Sequence, residues 1–496
     1  MGSTKTTSGA ALLCAVLAGC SPVGPDFATP SPWWSPASWT ASAPAPRQPS
    51  VAVAEPVDPR WWKLLGDPLL TALEARLVER NIDLRVASVR LAQARTQLGL
   101  AQVALLPGAN ANASYTRQQQ SRKGVVAVSP GAVNPTVENG LGGRSSVPNS
   151  RLRNPYDLFQ YGFDMSWELD LWGRVARSVE AAAAQADTAE ENLRDTQVTA
   201  SAELARAYIR LRGVQTKIAT TRQNLDIARQ NLRLTQDRAA GGLVTDLDVA
   251  TAAAQLATTE AQLPGLEQQR AEFMNAVAFL LGDPPQALAA LLSAPRRVPP
   301  VPPRVPVGVP SELARRRPDI RAAEASLHAA TATVGAATAD FYPRVMLSGS
   351  GAIQGLQFRN LADWSAQAYS LGPSVSLPIF DNGRLTGTLQ FREAQQQEAA
   401  LQFQRVVLNA LHEVDNALTA FALEQRRRDS LQQAVAQNRR ALALAQLRYT
   451  QGVADFLQVL NAQRGLLAAD QDLADSDTIV STNVVQLYKA LGGGWE

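Results

Sequence analysis

Cysteine and histidine are scarce in this sequence, and their scarcity limits the chemistry that it can support. The 496 residues include only two of each, so the sequence predicts no disulfide framework and almost no thiol chemistry. The histidines, His328 and His412, lie far apart in Ala-rich helical stretches, without a second ligand at metal-binding spacing. We therefore expect no metal site and no cofactor.

A strong net charge and the usual enzyme motifs are also missing. The formal charge is +3 at pH 7, and no basic stripe with interleaved aromatic residues occurs, so nucleic acid is not an expected partner. No glycine loop of the phosphate-binding type is present. The acidic pairs Asp246/Asp248 and Glu168/Asp170 do not make an acid–base pair without a substrate cleft. The sequence therefore predicts that the protein is not an enzyme.

Long apolar runs are missing as well. No stretch of about 20 apolar residues occurs, which excludes a membrane-spanning helix. The apolar residues 10–18, followed by LAGC at 17–20, are typical of an export signal. The end of this segment resembles a bacterial lipobox, which implies that residues 1–19 are a signal peptide and that Cys20 carries a covalent lipid. Ser21 is not the Asp that holds such lipoproteins at the inner membrane, so the outer membrane is implied; an ordinary secretory signal is the alternative.

An internal repeat is the main positive feature of the sequence. The segment at Asn81 matches the segment at Arg317, 236 residues later. Further along, four residues recur after 210 positions: Gly173, Arg238, Gly242 and Gly282 return as Gly383, Arg448, Gly452 and Gly492. The sequence therefore predicts a duplicated structural unit, with residues 60–292 as the first copy and 311–496 as the second. Proline-rich residues 20–59 are predicted to be an extended tether, and residues 293–310 a linker between the copies.

Each copy has the same predicted order of helix, two strands, long helix, turn and return helix. Alternating polar and apolar residues predict strands at 109–116, 159–167, 345–353 and 369–379. Helical spacing predicts a first helix over 69–106, long helices over 174–239 and 384–450, and return helices over 246–281 and 456–491. At 1.5 Å per residue each long helix is about 100 Å in length. The loop 117–153 is rich in arginine and either contacts lipopolysaccharide or is simply solvated.

Four amphipathic strands cannot close a barrel alone. Unpaired backbone groups in hydrocarbon cost several kcal/mol each, so we predict an α+β membrane protein in which three chains share a twelve-stranded transmembrane β-barrel, with four strands from each chain. The long helices would continue from it as an α-helical barrel in the periplasm. The bends between strand and helix are predicted at Gly173 and Arg174, and at Asp381, Gly383 and Arg384.

Four motifs and the repeat together carry a resemblance to a known family. The motifs are PRWWKLLGDPLLTAL (59–73), RPDIRAAEASL (317–327), SLPIFDNGRL (376–385) and RYTQGVADFLQVLNAQ (448–463). They resemble the TolC-like outer-membrane factor family, in particular the NodT-type lipoproteins of RND efflux systems. The resemblance implies a homotrimeric, passive exit duct in outer-membrane lipid for small toxic compounds or drugs, engaged by a periplasmic adaptor protein and an inner-membrane RND transporter. The alternatives are a duct for type I protein secretion and a lipid-anchored periplasmic helical scaffold.

The resemblance also implies two functional regions near the helical turns. Adaptor-docking tips are implied at Gly242, Leu243 and Val244 and at Gly452, Val453 and Ala454, where the glycines also suit helix C-caps. A periplasmic aperture is implied at Asp246, Asp248, Tyr449, Leu457, Gln458 and Asn461. We expect a hydrogen bond between Asp248 and Tyr449 in the closed state, with Asp246 as an alternative helix cap. Gln458 and Asn461 are amides where the family has acidic rings, which argues against strong cation selectivity; Leu457 is either a constriction or a packing residue.

Overall fold

The structure is a computed structural model that describes residues 22–30, 50–119 and 155–495. The predicted signal peptide, Cys20 and nearly all of the basic loop lie outside the described residues. Two compact units can be distinguished. The strand unit contains the described residues up to Phe27 with Gln97–Ala182 and Ala330–Ala394, and the helical unit contains Ala28–Thr96, Ala183–Ala329 and Gln395–Glu496. Each unit takes segments from both copies of the repeat.

The helices and strands follow the predicted order in both copies. In chain order they are β1 (Val51–Val53), α1 (Pro68–Arg80), α2 (Ile82–Val103), β2 (Gly108–Gln118), β3 (Tyr156–Leu169), α3 (Arg174–Ala240), α4 (Asp246–Glu260), α5 (Gln262–Leu280), α6 (Ala289–Leu292), β4 (Arg304–Pro306), α7 (Leu313–Arg316), α8 (Pro318–Ala339), β5 (Arg344–Gly355), β6 (Gln367–Ser376), α9 (Arg384–Thr450) and α10 (Phe456–Ala490). The two long helices, α3 and α9, each contain 67 residues.

Four of the strands form one antiparallel sheet in the order β2-β3-β5-β6. The register places the odd-numbered residues of all four strands on one face. This face carries the aromatic and aliphatic side chains, among them Tyr115, Phe163, Tyr369, Leu371 and Val375, which are 56%, 63%, 85%, 73% and 66% exposed. The other face is polar: Asn112 donates to Asp164, and the Ser350 and Ser370 hydroxyls are 2.9 Å apart. The predicted amphipathic strands are confirmed.

The structure corrects three predicted boundaries. The last strand ends at Ser376 rather than at 379, because Pro378 cannot donate a backbone hydrogen bond to a ladder. The first helix, predicted over 69–106, is divided at Asn81, whose side chain accepts from Leu84 N at 2.9 Å and donates to Leu280 O at 2.7 Å. The return helix predicted over 246–281 is divided at Ala261, because Pro264 has no N–H to give to the carbonyl of residue 260.

The core of the helical unit is built where α1 packs among α3, α9 and α10. Its fully buried members include Leu73 of α1, Leu204 of α3 and Val484 of α10, each 0% exposed. Trp61 stacks on Tyr488 of α10 at 5.5 Å between ring centroids. The proline-rich linker joins this unit through the parallel pair β1 and β4, which has only two strands and so tolerates proline at its edges.

One carboxyl group is buried in this core without a partner. Glu74 lies on the same face of α1 as Leu70 and Leu77 and is 1% exposed. Within the described part of the chain neither of its carboxylate oxygens has a hydrogen bond. Burial raises the pKa of Glu74 well above its ordinary value of 4.5, and the nearby Ser201 hydroxyl opposes this only in part, since it makes no hydrogen bond of normal geometry to either oxygen. The unfolded chain therefore ionises at a lower pH than the folded one, and Glu74 opposes folding above about pH 4.5.

We predict that Glu74→Leu stabilises the protein at pH 7. Removing a buried polar group without a partner should raise the free energy of unfolding by about 1–3 kcal/mol. The gain should shrink as the pH falls below 4.5, the ordinary glutamate value, where both states are protonated. Thermal denaturation at pH 7 and pH 4 measures this, with Glu79→Leu, an exposed position of the same helix, as the control. A lower melting temperature at pH 7 for Glu74→Leu alone would contradict the prediction.

Candidate functional site

Both turns between a long helix and its return helix use the same backbone device. Gly242 and Gly452 have φ values of 72° and 74°, a region open to glycine because it lacks a Cβ. Leu243 N donates to Arg238 O at 2.9 Å and Gly242 N to Ala239 O at 2.8 Å, and the second turn repeats this pattern. These are Schellman caps, which satisfy the last carbonyls of a helix and end it. The glycines are therefore helix C-caps, as one sequence reading expected.

The turns present apolar side chains. Leu243 and Val453 are 69% and 61% exposed, and Leu247 and Leu457, one turn further on, are 74% and 56% exposed. Leu457 is thus not a core residue of this chain. Gln458 and Asn461 are exposed beside it, whereas Val244 and Ala454 are half-buried. Four exposed apolar side chains at two adjacent turns form a surface that favours contact with another protein.

The Asp248 carboxylate forms hydrogen bonds within its own helix cap, to Thr245. Its Oδ2 accepts from the Thr245 backbone N at 3.0 Å and from the Thr245 hydroxyl at 2.9 Å, while Asp248 N donates to Thr245 O at 3.0 Å. Asp246 is the first residue of α4, and Thr245 holds the cap position instead. In this structure the Tyr449 hydroxyl is buried and has no partner among the described residues, so the hydrogen bond to Asp248 stays a prediction for the closed state. The alternative role of Asp246 as the helix cap is corrected, because Thr245 occupies the cap position.

Tyr449 is held by an arginine that the sequence analysis did not assign to the site. The Arg238 guanidinium lies 4.5 Å from the centroid of the Tyr449 ring, and Arg238 Nη1 donates to Tyr449 O. Phe456 packs against the same ring at 5.7 Å between centroids. Arg238 therefore connects the end of α3 to the end of α9. Its repeat counterpart Arg448 is exposed, so the two copies differ here although both have an arginine four residues before the glycine.

Each bend between a strand and a long helix contains a glycine in the left-handed backbone region. Gly173 and Gly383 have φ values of 76° and 81°. At the first bend, Arg174 forms two hydrogen bonds to Glu168, with Nε to Oε1 at 2.9 Å and Nη2 to Oε2 at 2.7 Å. At the second, the Asp381 carboxylate accepts from Gly383 N at 3.1 Å and Leu385 N at 2.9 Å. Arg384 is the first residue of α9 there. A side chain therefore stabilises the turn before each long helix, Arg174 by bonding to Glu168 and Asp381 by capping backbone amides.

Residues 22–27 pack on the first bend, where the sequence analysis expected only a tether. Val23 N donates to Trp172 O at 3.0 Å, and Arg177 Nη2 donates to Asp26 Oδ1 at 2.5 Å. A Cβ added to Gly173 would lie 2.5 Å from Pro22 Cβ, and one added to Gly24 would lie 2.5 Å from Gly335 Cα. Glycine at these positions makes room for the chain. Glycine within the helical pattern around 335 was the sequence signal that could have revealed the contact.

The described part of the chain contains neither a candidate metal site nor a candidate membrane-spanning helix. Within residues 22–30, 50–119 and 155–495, no group of three or more His, Cys, Asp or Glu side chains is placed to hold a metal ion. In the same ranges no helix is both long enough and apolar enough to cross a membrane.

Comparison with known proteins identifies the class. The family model described as outer membrane efflux protein matches residues 75–283 and 309–493. In sequence the chain is similar to outer membrane protein OprJ of Pseudomonas aeruginosa, 32% identical over 489 residues, covering 98% of this chain and 95% of that protein. It is also similar to the toluene efflux pump outer membrane protein TtgF of Pseudomonas putida, 31% identical over 440 residues, covering 88% and 85%. The outer-membrane channel OprN aligns with a TM-score of 0.85 and 34% identity over 95% of this chain and 99% of that one.

A sheet with one apolar face, joined to paired long helices that end in apolar turns, together with these matches defines an outer-membrane channel protein of the TolC-like class. The chain belongs to the outer membrane efflux protein family. The family expected from the sequence motifs and the fold class are confirmed, as is a location in the outer membrane with a periplasmic helical domain.

We predict that Arg238→Ala loosens the first turn. The mutation removes a cation–π contact of about 0.5–2 kcal/mol and the hydrogen bond to Tyr449 O, so backbone amides of residues 239–244 and 450–454 should exchange hydrogen several times faster. Hydrogen exchange followed by mass spectrometry measures this. Arg448→Ala is the matched control, since that side chain is exposed, and Tyr449→Phe should change little because it removes only a hydroxyl without a partner. Equal exchange in all three variants would refute the role of Arg238.

We predict that Gly173→Ala and Gly383→Ala differ, although both glycines have nearly the same backbone conformation. In both variants the alanine is destabilised by about 1 kcal/mol or more, because it must adopt the left-handed region. Only the alanine at 173 also collides with Pro22, since nothing lies within 4 Å of a Cβ at Gly383. Gly173→Ala should therefore release residues 22–27 and expose the Val23 amide to hydrogen exchange. Unchanged protection of Val23 in Gly173→Ala would show that the contact does not hold this segment.

Proposed function

We propose that this protein is the outer-membrane exit duct of a tripartite efflux pump, acting as a homotrimer with a periplasmic adaptor protein and an inner-membrane RND transporter. The observation that carries the proposal is the sheet of four strands, whose aromatic residues and most of whose large aliphatic residues face one side and whose outer strands, β2 and β6, each have one paired neighbour in the described chain. In a bilayer such edges must be closed by further strands. Three chains supply twelve strands, with the polar face toward a wet interior.

The transported compounds are small organic molecules in this proposal. Relatives that match most of this chain are named for toluene efflux and for pyoverdine export, and these names support small-molecule export over type I protein secretion. The polar inner face, with Asn112, Asp164 and Ser370, offers hydrogen bonds without a dedicated binding pocket. A passive duct with the energy supplied by its partners is consistent with that lining. A periplasmic scaffold is disfavoured, because it would leave Tyr369 and Leu371 in water.

We further assign roles to the turns and to the N-terminus. The exposed apolar side chains Leu243 and Val453, with their neighbours Gly242, Val244, Gly452 and Ala454, are proposed to dock on the adaptor. Residues 246, 248, 449, 457, 458 and 461 are proposed to line or support the periplasmic aperture, where the amides Gln458 and Asn461 would give weak ion selectivity. Lipidation of Cys20 is supported by the lipobox pattern and by Pro22, two residues later, which packs on the first bend.

We predict opposite outcomes for arginine at two adjacent positions of β6. Leu371→Arg places a charge on the lipid side, at a cost of about 2–4 kcal/mol near the bilayer centre, and should reduce the yield of trimers that survive SDS without heating. Ser370→Arg places the same charge on the polar face, so trimers should form but conduct cations less well in planar bilayers. A wild-type protein that stays monomeric and does not conduct would overturn the duct. Drug susceptibility of a deletion strain then tests efflux itself.

A further inference from the structure

A cavity of about 620 Å³ lies in the helical unit, beside the proline-rich linker between the two copies of the repeat. The linker lines it with the apolar residues Val298–Val301, and helices α3, α9 and α10 line it mainly with polar side chains. All of the lining belongs to one chain. Sites that bind small organic molecules have volumes of about 300–1,000 Å³ and the same mixture of apolar walls and a few polar groups. The cavity is therefore a candidate binding site outside the sheet and the turns.

Hydrogen bonds from two serines hold the linker beside the cavity. Ser481 Oγ of α10 donates to Pro299 O at 2.9 Å, and Ser50 Oγ donates to Pro302 O at 2.5 Å. The valines that flank Pro299 and Pro300 pack against the core of the helical unit. Because proline also fixes φ near −65°, this part of the linker has little freedom to collapse into the cavity. The cavity is therefore preformed, and a ligand does not have to order it.

One wall of the cavity contains a buried amide whose donors are poorly used. Gln425 of α9 is 1% exposed, and its Oε1 accepts from Ser50 N at 3.1 Å. Its Nε2 carries two N–H groups, and in the described residues their one recorded contact is with Phe421 O at 3.5 Å, at the limit of a hydrogen bond. Buried donors are normally satisfied. An acceptor atom of a ligand in the cavity would satisfy this one.

The equivalent glutamine in the first copy of the repeat has both amide atoms in use. Gln215 lies 210 positions earlier. Its Nε2 donates to a backbone carbonyl at 2.7 Å, and its Oε1 accepts from the buried Arg212 at 2.7 Å. The position equivalent to Arg212 is Ala422, and the position equivalent to the buried Ile218 is Arg428. The second copy thus lacks the arginine that binds the glutamine and has a different arginine at the wall of the cavity.

Two arginines make the lining positive. Arg428 Nε donates to Asp477 Oδ1 of α10 at 2.5 Å, and no hydrogen bond of its two terminal nitrogens is recorded within the described residues. Arg297 of the linker is exposed, and no ion pair is recorded for it within the same residues. The lining therefore has two positive charges against the single negative charge of Asp477. A guanidinium with free N–H groups matches the geometry of a carboxylate, so charge and hydrogen bonding both select an anion.

We propose that this cavity binds a small amphipathic organic anion. Its carboxylate accepts hydrogen bonds from Arg428 and from Gln425 Nε2, and its apolar part packs on the valines and prolines of the linker. Arg297, at the surface, adds a weaker attraction that salt screens. The inference goes beyond the proposed exit duct, because the site lies within one chain and Arg428 precedes Gly452 by about 35 Å of helix. The cavity is therefore separate from the turns and from the proposed aperture.

Binding of 2-naphthoate, a flat apolar ring system with one carboxylate, tests the proposal. Equilibrium dialysis of the full-length protein, with the same detergent on both sides, should show one saturable site per chain with a Kd of about 1 mM or lower. The comparison ligand, 2-naphthylmethylammonium, has the same rings and the opposite charge. It should show no saturable binding, because it would place a third positive charge beside two guanidinium groups. Naphthoate binding that does not saturate, or equal binding of the two ligands, would overturn the proposal.

Variants locate the site. Arg428→Gln combined with Asp477→Asn removes both members of the ion pair, so that no bare carboxylate remains, and should weaken naphthoate binding about tenfold. Arg297→Gln should weaken it about threefold, because that arginine is exposed. Arg296→Gln is the matched control, since this exposed linker arginine does not line the cavity, and should change nothing. Melting temperatures equal to wild type show that the variants fold.

Two results for the variants would contradict the site. One is wild-type affinity in the double variant, and the other is an equal loss of affinity in Arg296→Gln. The outcome is independent of the duct, because conductance is measured separately. If wild-type protein conducts in planar bilayers but has no saturable naphthoate site, the inference fails while the proposed function stands. If naphthoate binds as expected but the protein does not conduct, the proposed function fails and the site remains.

Discussion

The open edges of the four-stranded sheet are the constraint on which the rest of this molecule depends. β2 and β6 contain 11 and 10 residues, and each leaves a row of backbone donors and acceptors unpaired within the described chain. In hydrocarbon every such group costs several kcal/mol, a total far above the usual free energy of unfolding of a domain, about 5–15 kcal/mol. The side-chain pattern places one face of the same strands in that hydrocarbon. A single chain therefore cannot be the membrane form, and the helices that follow the strands must serve an assembly.

Left-handed glycines give the two copies equal long helices. Gly173 and Gly383 precede the first residue of α3 and α9, and Gly242 and Gly452 follow their last turn, all with φ between 72° and 81°. Because the start and the stop are both set by local backbone geometry, the two helices have the same length of 67 residues, although their side chains differ along most of that length. Equal helices bring both apolar turns to the same distance from their bends along the chain.

The helix and strand bounds could be predicted from the sequence because they depend on local periodicity. Side-chain contacts that depend on which of several polar partners is chosen could not. The long helices begin and end within one residue of the predicted positions, since Ala-rich spacing and glycine caps are local signals. Asp246 was considered as the cap of α4, but Thr245 takes that position and bonds to Asp248 three residues away, at almost no cost in chain entropy. Arg238 was visible only as a repeated residue, since nothing in a sequence shows which of two equivalent arginines meets an aromatic ring. The contacts of residues 22–27 were missed because a proline-rich segment has no period.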